Sequence, residues 1–116
     1  YFEDIDNILL ETNIAITRAG AGTINDLVRY KIPSIIFPLP NSIYNHQYYN
    51  AKFLLDKKAC IVLNEKSFNL NSYSKSLNKL IFEKKYFENM QESIKNIILP
   101  DTNELILKTI LNKNNE

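Results

Sequence analysis

The chain has 116 residues, 45% of them hydrophobic, with 14 basic and 13 acidic side chains and a net charge of +1. That length and apolar share suit one small globular unit with a core of its own. The balanced charge offers no basic field to a phosphate backbone and argues against nucleic acid as a main partner. No run approaches the roughly 20 apolar residues that span a bilayer, and the N-terminus carries no basic start followed by an apolar signal core. The expectation is a soluble or at most peripheral protein. Because it opens on Tyr1 rather than Met, the chain reads as a piece of a longer protein.

In chain order, Asp4 to Glu11 predicts a short helix, with Ile5, Ile8 and Leu9 as its apolar stripe. Ile14 to Thr17 reads as a buried strand. A helix is expected from about Thr23 to Tyr30, with Ile24, Leu27 and Val28 turned inward, and Pro33 marks a boundary. Ser34 to Phe37 is rich in strand formers and stops at Pro38-Leu39-Pro40, where proline cannot continue sheet pairing. Asn41 to Asn45 reads as a loop. The next helix is expected over His46 to Asp56, burying Tyr49, Phe53 and Leu54.

Cys60 to Leu63 reads as a third strand. Cys60 is the one cysteine, which excludes an internal disulfide; it reads as a buried small hydrophobe and fits a reducing, intracellular compartment. Leu70, Tyr73, Leu77, Leu80 and Ile81 form a helical stripe, and Phe87 to Ile97 reads as a further helix. Asp101-Thr102-Asn103-Glu104, after Pro100, resembles a capping box that opens a last helix. Strands alternating with helices predict a parallel sheet covered by helices. Three strands are few for a doubly wound domain, so further sequence is expected upstream.

The two glycines of the chain stand in Arg18-Ala19-Gly20-Ala21-Gly22-Thr23, directly after the first strand and before a helix. Glycine serves where backbone must take positive φ or approach a ligand closely. A strand, a small-residue loop and a helix start together can offer N–H groups to a phosphate, although the same spacing occurs in ordinary turns. In a parallel sheet, ligands bind beyond the carboxyl ends of the strands. The loop from Arg18 to Thr23 and the loop from Pro38 to Gln47 both leave such ends, so they should meet at one edge. Thr23 and Asp26 suit a capping box, but the Asp26 carboxylate could instead accept both hydrogen bonds of a ribose diol. Arg18 can pair with a phosphate or with a surface acid. His46, the only histidine, has no carboxylate orienter in its own segment, so a structural role is the default. One histidine, one cysteine and scattered acids give no metal-ligand spacing. Tyr44, Tyr48 and Tyr49 could stack on a base, but helical spacing makes Tyr49 a core residue.

Taken together, Ile16-Thr17-Arg18-Ala19-Gly20-Ala21-Gly22-Thr23, the Pro33 to Pro38 strand and Asn45-His46-Gln47-Tyr48-Tyr49-Asn50-Ala51 resemble one family. It is the bacterial MurG family of UDP-N-acetylglucosamine–N-acetylmuramyl-(pentapeptide) pyrophosphoryl-undecaprenol N-acetylglucosamine transferases. The resemblance runs from Tyr1 to about Leu111. It implies an α/β fold: a partial Rossmann-like parallel sheet with flanking helices, the C-terminal part of a GT-B glycosyltransferase. It also implies UDP-N-acetylglucosamine as donor, no cofactor, and an inverting transfer that makes lipid II for peptidoglycan. The lipid-linked acceptor would bind an N-terminal domain outside this chain, at the inner face of the cell membrane. By the same resemblance Arg18, Gly20, Ala21, Gly22, Thr23, Ile24, Asn25 and Asp26 line the donor, and Gln47 matches the family's sugar-contacting glutamine, with His46 beside it in the donor site. The family's ribose carboxylate is usually glutamate; Asp26 is one methylene shorter. No segment matches the family's glycine-rich N-terminal loop or its candidate base, so the chain alone should not catalyse transfer.

Three other readings stand beside this one. The chain could be the stand-alone donor-binding subunit of a two-chain eukaryotic N-acetylglucosaminyltransferase, which an upstream acceptor domain would exclude. It could be a remnant that keeps only the fold, which donor binding would exclude. It could belong to another UDP-sugar enzyme of the same architecture, such as a 2-epimerase, which product analysis would separate.

Overall fold

A computed structural model describes residues 13–40 and 45–98. The expected helices at Asp4 to Glu11 and after Pro100 lie outside the described residues, as do residues 41–44 of the loop. The described elements are β1 (Ala15–Thr17), α1 (Ala21–Arg29), β2 (Ser34–Ile36), α2 (His46–Asp56), β3 (Ile61–Val62), α3 (Leu70–Phe82) and α4 (Lys84–Lys95). The three strands form one parallel sheet in the order β1-β2-β3. Ile16 faces Ile35 across the first pair and Ile35 faces Ile61 across the second. This is the α/β architecture that the alternating pattern predicts.

β2 is buried along its whole length because helices cover both faces of the sheet. Successive strand residues point to opposite faces. Ile36 therefore enters one cluster with Leu27, Val28, Ala51 and Leu54, between the sheet and helices α1 and α2. Ile35 enters a second cluster with Leu80 and Met90, beneath α3 and α4. Cys60 is buried in the first cluster, as its apolar run predicts.

Three expectations about burial are corrected. β1 is not a buried strand: Ile16 is 48% exposed, because β1 is the end strand of the described sheet. Tyr49 is 60% exposed and Phe53 is 40% exposed, while α2 buries Ala51 and Leu54. The inward stripe of α2 follows positions 47, 50, 51 and 54, and its first two places hold amides instead of hydrocarbons. Reading apolar residues as inward rotates the helix the wrong way. In α3, Leu80 is buried and Tyr73 and Leu77 pack on the second cluster, but Leu70 and Ile81 remain exposed. Helix α1 also starts two residues before the expected Thr23, and α4 three before Phe87.

Candidate functional site

The carboxyl ends of β1 and β2 release the two loops that carry the motif residues. The first passes through Arg18, Ala19 and Gly20 into α1; the second passes through Phe37 to Pro40 and returns at Asn45 into α2. Both backbones converge on one side chain. Gln47 Oε1 accepts the Ala19 N–H at 3.2 Å and the Leu39 N–H at 2.8 Å. Asn50 Nδ2 donates to the Ala19 carbonyl at 2.9 Å. Gln47 and Asn50 lie one turn apart on the same face of α2, so one short helix segment grips both loops. The two loops thus share one edge of the sheet.

Gly20 is the N-cap of α1, with extended backbone (φ −63°, ψ 151°). Ala21, Gly22 and Thr23 are its first three helical residues, whose N–H groups have no intrahelical acceptor. Gly20 has no side chain to cap them, and no acidic residue occupies this first turn. The capping box expected from Thr23 and Asp26 does not form, because Thr23 lies inside the helix instead of before it. Neither glycine takes positive φ. A Cβ on Gly20 would meet its nearest neighbour at 3.9 Å, and one on Gly22 would point into open space. The fold therefore leaves room for side chains at both places, and an interior helical glycine costs about 1 kcal/mol relative to alanine. Bare backbone here exposes the turn to whatever approaches it.

The other motif residues take distinct positions. Ile24 turns its side chain into the core, and its N–H closes the first helical turn on the Gly20 carbonyl at 3.0 Å. It belongs to this ledge by its backbone alone. Asn25 is exposed. Asp26 stands half-buried in the second turn, not the first. His46 is the exposed first residue of α2, and Gln47 follows it half-buried. Asn45, just before them, holds left-handed backbone at φ 58°, which asparagine tolerates better than most residues.

Arg18 pairs with Glu65 in a fork: Nη1 donates to Oε2 at 3.0 Å and Nη2 to Oε1 at 3.1 Å. Nη1 also reaches the Phe37 carbonyl at 3.4 Å. These hydrogen bonds to Arg18 hold the Glu65 carboxyl below its ordinary range, and those to Glu65 raise Arg18 further. The pair borders an open cavity of about 580 Å³ that is also lined by Ile16, Thr17, Phe37 and Phe68. A second cavity of about 540 Å³ lies beyond β2 and β3, against Leu39, Asn45, Tyr48, Tyr49 and Lys66. Away from both, burial pushes the Cys60 thiol up to about 12, which makes it a poor nucleophile. Among the described residues no group of three or more His, Cys, Asp or Glu side chains could hold a metal ion.

Asn50 and Glu65 were not singled out as site residues from the sequence. Asn50 had a signal: it stands three residues after Gln47, on the same helical face. Glu65 had none, because many acids could meet Arg18 and only the sheet order selects this one.

A three-stranded parallel sheet with helices on both faces, and two loops clasped at its carboxyl edge ahead of an uncapped helix start, defines an α/β domain. The chain belongs to the family described as the glycosyltransferase family 28 C-terminal domain, whose profile matches residues 1–105. It is 32% identical over 108 residues to the UDP-N-acetylglucosamine–N-acetylmuramyl-(pentapeptide) pyrophosphoryl-undecaprenol N-acetylglucosamine transferase of Campylobacter jejuni subsp. jejuni serotype O:23/36, covering 93% of this chain and 30% of that protein. The identically named protein of Caldicellulosiruptor saccharolyticus is 38% identical over 93% of this chain and 29% of its own length. The crystal structure of Acinetobacter baumannii MurG superposes with a TM-score of 0.82 and 22% identity, over 97% of this chain and 32% of that one. The chain thus spans under a third of the relatives it matches.

Proposed function

We propose that this chain is the donor-binding part of an N-acetylglucosaminyltransferase, holding UDP-N-acetylglucosamine while its sugar passes to a lipid-linked N-acetylmuramyl acceptor. The observation that carries this reading is the clasp at Gln47. It brings the glycine loop and the His46-Gln47 helix start to one edge, in a chain of this glycosyltransferase family. The names of the relatives supply the donor and the acceptor.

On this reading the N–H groups of Ala21, Gly22 and Thr23 face the diphosphate. The positive end of the α1 dipole favours the charge that grows there as UDP leaves. Arg18 adds a cation at the start of the same ledge. Asn25 and Asp26 meet the ribose, and His46 and Gln47 meet the sugar. These groups position the donor; none of them needs to move a proton. The acceptor 4-hydroxyl attacks the anomeric carbon from the face opposite the diphosphate and inverts it. The acceptor and any base that deprotonates it belong to the part of the relatives' length that this chain does not span. The chain alone is therefore a binder and not a catalyst, and it works at the cytoplasmic membrane face where the lipid carrier is presented. No helix among the described residues is long and apolar enough to cross a membrane.

Calorimetry tests the reading. UDP and UDP-N-acetylglucosamine are expected to bind and GDP is not. Asp26→Ala should weaken UDP binding by about 10-fold or more, the loss of hydrogen bonds to a charged group, with an unchanged unfolding temperature. No heat and no thermal shift with UDP at millimolar concentration would leave only a conserved fold.

A further inference from the structure

We propose that Glu65 is a positioning residue for the donor ledge: through its fork on Arg18 it fixes the turn into α1 before any ligand arrives. This inference rests on the donor-binding reading above for its functional meaning, but not for its geometry.

Arg18 follows β1 and Glu65 follows β3, with β2 lying between these strands. Their pair therefore reaches across the end of the central strand, and the contact to the Phe37 carbonyl takes in β2 as well. The neighbouring residue, Ala19, is held from the other face of the sheet, by Gln47 and Asn50 of α2. Ala19 packs in the cluster beneath α1 and α2, whereas Arg18 lines the cavity walled by Ile16, Phe37 and Phe68. Two consecutive residues are thus gripped from opposite faces, immediately before Gly20.

A glycine-containing turn has many accessible conformations, and ordering it at the moment of binding weakens affinity. A two-point grip removes most of that freedom in advance. An exposed ion pair contributes little to stability in general, but the bidentate arginine–carboxylate fork is the favourable exception. Its value here is orientation. Arg18 keeps its charge, and the fork fixes where on the ledge that charge stands.

A rival role makes the opposite prediction. If Glu65 merely competes with the donor diphosphate for Arg18, removing its charge would tighten UDP binding. If Glu65 positions the ledge, removing it loosens binding.

The experiment compares the wild-type chain with Glu65→Gln and Glu65→Asp. Without ligand, amide hydrogen exchange at Ala19 and Ile24 should quicken severalfold in Glu65→Gln, while amides of β2 and β3 stay unchanged. UDP affinity should fall about three- to tenfold, and Glu65→Asp should recover part of it. The Glu65 carboxyl is depressed, so the grip is complete above the ordinary carboxylate range and is lost as pH falls through the depressed value. Amide exchange at Ala19 in the ligand-free wild-type chain should quicken through that fall, and in Glu65→Gln it should already be fast at neutral pH. Unchanged exchange at Ala19 and Ile24, or tighter UDP binding by Glu65→Gln, would overturn the proposal. A wild-type chain that ignores UDP would instead refute the donor-binding reading, and the exchange comparison would still decide the role of Glu65.

Discussion

Ser34 is fully buried at the head of β2, opposite Ala15, and its Oγ has no hydrogen-bond partner among the described residues. A buried hydroxyl without a partner loses its bonds to water and regains none, a penalty of about 1–3 kcal/mol. Alanine fits the same space without that penalty. Ser34→Ala should therefore stabilise the chain by about 1 kcal/mol, seen as a higher denaturant midpoint at unchanged slope. A lower midpoint would mean that the hydroxyl is satisfied in solution. The glycines show the limit of residue-level reading. Their spacing marks the right turn, but Gly20 and Gly22 do not supply positive φ. Lys31, Asn45 and Lys58 hold that conformation; asparagine is one of the residues that tolerate it, but the two lysines give no hint of it.

At the scale of elements, α1 and α2 end in the same way. After α1, the Ile32 N–H bonds the Leu27 carbonyl at 2.9 Å and the Lys31 N–H bonds the Val28 carbonyl at 3.3 Å. After α2, the Ala59 N–H bonds the Leu54 carbonyl and the Lys58 N–H the Leu55 carbonyl, both at 2.9 Å. These are Schellman closures, and the left-handed position in each usually holds glycine. Here Lys31 (φ 57°) and Lys58 (φ 59°) occupy it. The left-handed conformation costs an L-residue roughly 1 kcal/mol, part of which glycine gives back through its floppier unfolded state. Lys31→Gly and Lys58→Gly should each raise stability by about 0.5–1 kcal/mol, additively because they end separate helices. Thermal unfolding of the single and double variants checks both magnitude and additivity. The bounds of α2 were legible from its composition, but its orientation was not. Gln47 and Asn50 occupy inward positions because they meet backbone there, and a hydrophobic count assigns those positions to Tyr49 and Phe53.

For the whole molecule, the alternation of strands and helices was legible because each strand is a short apolar run closed by a turn or proline. The convergence of two loops at one edge follows from parallel pairing of β1 with β2. Which atoms join them does not, because it depends on how α2 is rotated over the sheet. Gln47 is where that rotation couples two strand–helix units: its one carbonyl oxygen accepts from both loops. Gln47→Ala removes that acceptor; water can replace it at the exposed Leu39 N–H but less readily at the part-buried Ala19 N–H, so stability should drop by about 1 kcal/mol and UDP-N-acetylglucosamine binding with it. Gln47→Glu keeps an oxygen in the same place but adds a negative charge beside an anionic ligand. It should hold the unfolding temperature near that of the wild type while still weakening the nucleotide sugar. Comparing the two variants by calorimetry and thermal unfolding separates the clasp from the ligand contact. If Gln47→Glu unfolds as early as Gln47→Ala, the carbonyl does not hold the two halves of the sheet edge together.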